Sequence, residues 1–157
     1  MNETPKVISR TEFEALLGQS LGTSDWMEIT QEQINAFADC THDHQYIHTD
    51  PERAADSPFG TTIAHGFLTL SLLTALAAKV PDVEGTAMTV NYGFDKVRFV
   101  SPVKVGARIR GHFTLTQVEE TRSGEMQSAM TIQVEIEGQD RPALIAEWIV
   151  RRYFEAK

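Results

Sequence analysis

The second half of the chain alternates. Met88, Val90, Tyr92 and Phe94 stand at every other position, with polar or small residues between them. Ile109, Gly111, Phe113 and Leu115 repeat the pattern. So do Met126, Ser128, Met130, Ile132, Val134 and Ile136, and then Leu144, Ala146, Trp148 and Val150. A period of two puts one set of side chains on one face of the backbone, which predicts half-buried strands. Gly106, Gly124 and Gly138 break these runs, and their order predicts an antiparallel meander. The stretch from Thr62 to Lys79 has no such period. Ile63, Phe67, Leu68, Leu70, Leu72, Leu73, Leu76 and Ala77 would surround a helix instead of lining one stripe. A helix apolar all round must be wrapped by other structure. Together the two patterns predict an α+β fold, a long central helix clasped by a curved antiparallel β-sheet.

The first sixty residues read as shorter pieces. Thr11 to Leu17 predicts a helix with Thr11 as N-cap, Glu14 at the capping-box spacing and Gly18 as the stop. Ser24 to Ile29 predicts a strand. Thr30 and Gln33 repeat the capping signature, and Ile34, Phe37 and Ala38 fall at helical spacing, so a second helix runs to about Cys40. A polar segment from Thr41 to Asp50 follows. Pro51 to Ala55 predicts a short helix opened by proline, and Ser57 to Gly60 a loop.

Composition narrows the class. At 157 residues the chain is expected to form one domain, 1–157, large enough for a real core. The net charge of −8 and pI of about 5.1 disfavour a nucleic-acid or anionic-membrane surface. Cys40 is the single cysteine, which fits a reducing, cytoplasmic setting. Met1 to Lys6 has no apolar run of the secretory type. Ile63 to Val80 carries a His and several hydroxyl residues, so it is expected to be a buried helix and not a membrane span.

Chemistry concentrates in one place. Four of the five histidines lie between Phe37 and Gly66. Within Thr41-His42-Asp43-His44-Gln45-Tyr46-Ile47-His48, Asp43 and His48 are five residues apart across a turn-like segment. A carboxylate and an imidazole at that spacing can converge on a water and activate it. His65-Gly66 then offers a backbone N–H at a helix start, where negative charge is stabilised. Base and oxyanion donor together suffice to add water to an activated acyl group, or to remove it. The rival readings are structural: Asp43 as a turn residue, His48 as a satisfied polar group, Gly66 as a close-packing position. A metal site from His42, His44, His48 and Asp50 is the rival chemistry, yet the spacing matches no helix-borne zinc pattern, and no metal is expected. Phosphate loops, Gly-x-Ser-x-Gly elbows and paired Cys motifs are absent from the sequence.

Three segments carry a resemblance. Phe37-x-x-x-Thr41-x-Asp43-x-x-x-Ile47-His48 resembles the aromatic–Ser/Thr–Gly–Asp–Asn–Pro–aliphatic–His signature of the MaoC-like (R)-specific enoyl-CoA hydratases. Ile63-Ala64-His65-Gly66-Phe67-Leu68 is similar to the start of that family's central helix, and Val97 to Gly106 to its strand-turn segment. His42, Gln45 and Tyr46 replace the Gly, Asn and Pro, a version similar to the NodN-like branch. The resemblance implies a hotdog fold and reversible syn addition of water to a trans-2-enoyl thioester. It implies Asp43 and His48 as the water-binding dyad, with Asp43 ionised, orienting the water and fixing the imidazole. Gly66 would be the oxyanion donor, Thr74 a hydroxyl touching the dyad, and His65 a structural neighbour. Lys96, Arg98 and Lys104 are candidates for the phosphates of a CoA or pantetheine carrier. No cofactor is implied beyond the CoA or carrier-protein thioester that is the substrate. A homodimer or higher homo-oligomer is expected, because a lone sheet leaves its edges open. An acyl-CoA thioesterase of the same fold usually carries an acidic residue on the central helix, and Thr62 to Lys79 contains none. A non-catalytic acyl-thioester binding module would gain little from burying charge.

Overall fold

The structure, a computed structural model, describes residues 5–155. Most of the amino-terminal stretch read for targeting signals lies outside them. The chain runs β1 (Val7–Ile8), α1 (Arg10–Ala15), β2 (Ser20–Thr23), β3 (Met27–Glu28), α2 (Gln31–Thr41), α3 (Tyr46–Thr49) and α4 (Pro51–Ala55). Then come α5 (Gly66–Ser71), α6 (Leu73–Leu76), a 3₁₀ turn (Ala77–Lys79), and β4 (Asp82–Val83). Four long strands close the chain: β5 (Thr86–Phe99), β6 (Arg108–Arg122), β7 (Glu125–Ile136) and β8 (Leu144–Phe154). The architecture is the α+β arrangement that the two hydrophobic periods demand.

The large sheet has the order β2-β6-β7-β8-β5, with β3 also on β6 and every pair antiparallel. Strands β6, β7 and β8 form the expected meander. Strand β5 does not continue it, because the chain crosses over and pairs β5 with the far side of β8. Alternation therefore identified the strands but not their neighbours. Gly18, Gly106, Gly124 and Gly138 all adopt positive φ at the turns.

The predicted central helix begins at Gly66 and not at Thr62, and Leu72 interrupts its regular assignment. Backbone bonds still pass through the break, since Leu72 N donates to Leu68 O and Leu76 N to Leu72 O. We treat residues 66–79 as one helical run. It buries Leu68, Leu73 and Leu76 against Ile109, Phe113, Ile132, Leu144 and Ala146 of the sheet. Gly111 makes the approach possible. A Cβ there would meet the Phe113 ring at 2.8 Å and Leu76 Cβ at 3.3 Å. The run is not wrapped all round within this chain, for Phe67 is 66% exposed.

The first elements also shift. The first helix is capped by Ser9, whose hydroxyl bonds Glu12 N in a capping box, and not by Thr11. Of the strand predicted over 24–29 only Met27–Glu28 forms, as β3, and residues 24–26 separate it from β2, which the sequence did not signal. Thr30 and Gln33 form the capping box read from the sequence. No helix among the described residues is long and apolar enough to cross a membrane.

Candidate active site

Helix α2 stops at His42, which takes the left-handed conformation, φ 60°, ψ 23°. It is the one non-glycine residue with positive φ among those described. A side chain costs energy there that glycine avoids. The turn throws the chain sideways, so Asp43 starts a new direction. Asp43 Oδ1 then accepts from Gln45 N at 3.4 Å, a loose Asx turn. The next four residues, read from the sequence as part of a loop, form α3 and carry His48 into the interior.

His48 is 7% exposed. Its Nδ1 lies 2.7 Å from Ile63 O, and because a carbonyl only accepts, Nδ1 holds the proton and Nε2 the lone pair. Gln31 Nε2 donates to His48 O at 2.7 Å, and Gln31 Oε1 accepts from Thr62 Oγ1. Ile63 N donates to Ile47 O at 3.0 Å, and Ala64 N to Val103 O at 2.8 Å. These bonds tie α3 to the segment before the helical run. Gln31 is a positioning residue that sequence reasoning missed; its only sequence mark was its place inside a capping box.

His65 stacks on His48, ring centroids 3.8 Å apart and planes 24° apart. Its Nε2 donates to Asp43 O at 2.9 Å, so the loop that holds Asp43 is fixed by the residue preceding Gly66. The Asp43 carboxylate and ring nitrogens of His48 and His65 lie within 4.8 Å of one another. Hydrogen bonds of about 2.8 Å from two such groups to one oxygen span that distance. The sequence-based expectation that Asp43 fixes the imidazole is corrected: the ring is held by Ile63 O and by the His65 stack. Burial pushes the His48 pKa below its ordinary value, and the neighbouring His65 adds to this. The bond to Ile63 and the Asp43 charge work in the opposite direction without reversing it. The imidazole is therefore neutral at pH 7 and its Nε2 is a base.

A cavity of about 330 Å³ adjoins His48. Gly66, Thr69, Phe59, Phe99 and Pro102 form part of its wall. Asp43 does not; its exposed carboxylate approaches the imidazoles from the solvent side. Gly66 opens the helical run, where the first amides have no partner within the helix. A Cβ on Gly66 would meet the Phe99 ring at 3.0–3.1 Å, so the glycine also lets that aromatic wall close in. Thr74, expected beside the dyad, lines a different cavity farther along the run. Thr69, one turn after Gly66, is the hydroxyl on this one, and it was missed because several Thr and Ser residues share the helix. Arg98 precedes Phe99 and Lys104 follows Val103, both cavity residues, whereas Lys96 stands farther along β5 opposite Glu147.

The metal alternative does not fit. His44 pairs with Asp39 at 3.5 Å and stays exposed, and the described residues gather no cluster of His42, His44, His48 and Asp50. Asp43, His48 and His65 do gather. Yet lone pairs of two nearly parallel rings 3.8 Å apart also run nearly parallel. No ion about 2.0–2.1 Å from a nitrogen of each can lie in both ring planes.

Comparison with known proteins places this chain in a family. The sequence matches the MaoC like domain over residues 12–139, and the chain belongs to the MaoC-like domain family. It is 51% identical over 143 residues to 3-hydroxyacyl-thioester dehydratase Z of Mycobacterium tuberculosis, covering 91% of this chain and 95% of that protein. It is 49% identical to Nodulation protein N of Rhizobium meliloti, covering 96% and 94%. Among solved structures, the (R)-hydratase from A. caviae involved in PHA biosynthesis superposes with a TM-score of 0.71 at 24% identity, over 85% of this chain and 94% of that one. At that identity the likeness concerns the fold, which is the hotdog arrangement of MaoC-like proteins.

Proposed function

We propose that this protein is a hydro-lyase that interconverts a trans-2-enoyl thioester and the (R)-3-hydroxyacyl thioester. The observation that carries the reading is a buried neutral imidazole with its Nε2 lone pair free, and a carboxylate within 4.8 Å of it, beside the glycine that opens the helical run. The dehydratase and NodN relatives at about half identity support it. Water sits between Asp43 and His48. His48 Nε2 takes a proton from it as its oxygen bonds C3, and the dyad returns a proton to C2 on the same face. The Gly66 N–H donates to the thioester oxygen as charge develops on it, a contribution typically of order 100- to 1000-fold in rate. His65 positions the Asp43 loop. The substrate is a CoA or carrier-protein thioester, with Arg98 and Lys104 nearest the cavity for its phosphates and Lys96 farther off.

The working unit we propose is a homodimer. Strand β5 is a 14-residue edge strand at one end of the sheet. Met88, Val90, Tyr92 and Phe94 on it are all at least 36% exposed. A long apolar edge invites pairing with a second copy. The test is loss of crotonyl-CoA absorbance on hydration. Turnover is expected, together with its loss in His48→Gln. A folded protein that hydrates no chain length, or that releases free thiol instead, would overturn the reading.

A further inference from the structure

A second cavity of about 300 Å³ lies at the other end of the helical run. Thr74, Ala77 and Val80 form its helix side, and Trp148 and Arg152 of β8 stand opposite. Both cavities border the helical run and strand β5. Strand β5 pairs with β8 from Phe99↔Leu144 beside the first cavity to Thr89↔Arg152 beside the second, and the helical run crosses both. From Gly66 to Thr74 the run advances about 12 Å at 1.5 Å per residue. An extended chain of about ten carbons covers that distance to the near wall at bonds of about 1.5 Å. Arg152 stands eight residues beyond Leu144 on β8, about 26 Å at 3.3 Å per residue, so a chain that ends at it runs to about sixteen to twenty carbons.

The chemistry of this second cavity is unbalanced. Arg152 is 4% exposed. Its Nη1 donates to Ser128 Oγ at 2.8 Å, and its guanidinium lies over the Phe13 ring at 4.9 Å. Its Nε has no partner, and neither has Trp148 Nε1. Among the described residues no carboxylate comes within the 4.0 Å of an ion pair. Asp82, exposed on the cavity wall, acts on it only at longer range. Buried charges are ordinarily paired, and buried N–H groups ordinarily bonded. The unpaired Arg152 cation lines the cavity, and Arg152 Nε and Trp148 Nε1, buried in lining residues, lack acceptors; an oxygen-bearing anion fits them and a methyl end does not.

We infer that this cavity receives the far end of the acyl chain and that Arg152 recognises a carboxylate there, so that the preferred substrates are ω-carboxyacyl thioesters. Trp148 Nε1 is the second donor. Asp82 limits the preference from the rim through like charge. The inference rests on the hydratase reading for the position of the thioester at Gly66.

Binding is measured first, by calorimetry with saturated CoA thioesters, which cannot be hydrated. Dioyl-CoA thioesters of eight, twelve, sixteen and twenty carbons are compared with the methyl-ended acyl-CoA of each length. The wild-type protein is expected to bind the dicarboxylic form of one length at least about tenfold more tightly, since a site built for a polar group rejects the analogue lacking it. Arg152→Met abolishes the preference, Arg152→Lys keeps part of it, and Asp82→Asn widens it. Equal or tighter binding of the methyl-ended thioesters by the wild type overturns the assignment, as does a preference that survives in Arg152→Met. The wild-type comparison decides even where a variant does not fold. Hydration of the matching trans-2-enoyl thioesters separates the two claims. A carboxylate preference in binding without any hydration overturns the hydratase and leaves the pocket. Equal hydration of both end groups, with equal binding, overturns the pocket and leaves the hydratase.

Discussion

The two ends of the helical run are built differently. At the Gly66 end the side-chain donors have fixed partners, and the one buried atom without a partner, His65 Nδ1, is an acceptor because Nε2 carries the proton. Ile63 O sets the His48 tautomer, and Asp43 O holds one nitrogen of His65. At the Thr74 end two buried donors have none. A reacting group must be oriented before substrate arrives, since reorientation would be paid for in the transition state. A recognising group can wait, because its ligand supplies the missing bond. The difference separates chemistry from selection along one helix.

The comparison can be broken at either end. The largest effect is expected from Asp43→Asn, a fall in kcat/KM of about 10²- to 10⁴-fold. Because Asp43 is exposed, thermal melting should scarcely move. Full activity in the Asp43→Asn variant would remove the dyad from the mechanism. Gly111→Ala pushes a methyl into Phe113 and Leu76 and should cost about 1–3 kcal/mol of stability, read by urea unfolding. Gly66→Ala also crowds an aromatic ring, but Phe99 is 49% exposed and can yield. There the expected stability change is within about 0.5 kcal/mol, and the rate is the quantity to follow. His42→Gly relieves a left-handed side chain and should add about 1 kcal/mol, with the dyad kept.

The pH profile gives the finest discrimination. The folded His48 pKa lies below its ordinary value of 6.5, chiefly through burial. The unfolded chain therefore binds the proton more readily than the folded one. Stability attached to this group is complete above pH 6.5 and declines as pH falls through that value toward the folded pKa. The acid limb of kcat/KM should likewise appear below the usual imidazole range. An acid limb above pH 6.5 would contradict a buried neutral base.

Much of this was legible because it is local. Capping at Thr30 needs only residues four apart, and the pattern in β7 needs only its own alternation. Where the family pattern has Gly this chain has His42, which keeps the positive φ that glycine takes readily. Other features depend on distant partners. Thr74 and Thr69 look alike in sequence, and only the seating of the helix on the sheet assigns them to different cavities. Gln31 gains its role from His48 and Thr62, residues far along the chain. Strands β5 and β7 alternate equally well. Yet the apolar positions of β7 are buried, while those of β5 remain open on an edge.

The order of residues thus settled the strand and helix segments, the Asp43–His48 spacing and the glycine at the helix start. Backbone periodicity and steric limits act over a few residues, so the chain carries them wherever it goes. Tertiary structure decided which strand neighbours which, which ring nitrogen is free, and that Arg152 Nε and Trp148 Nε1 are buried without an acceptor. Those outcomes depend on groups brought together from opposite ends of the chain, and no local pattern encodes a distance.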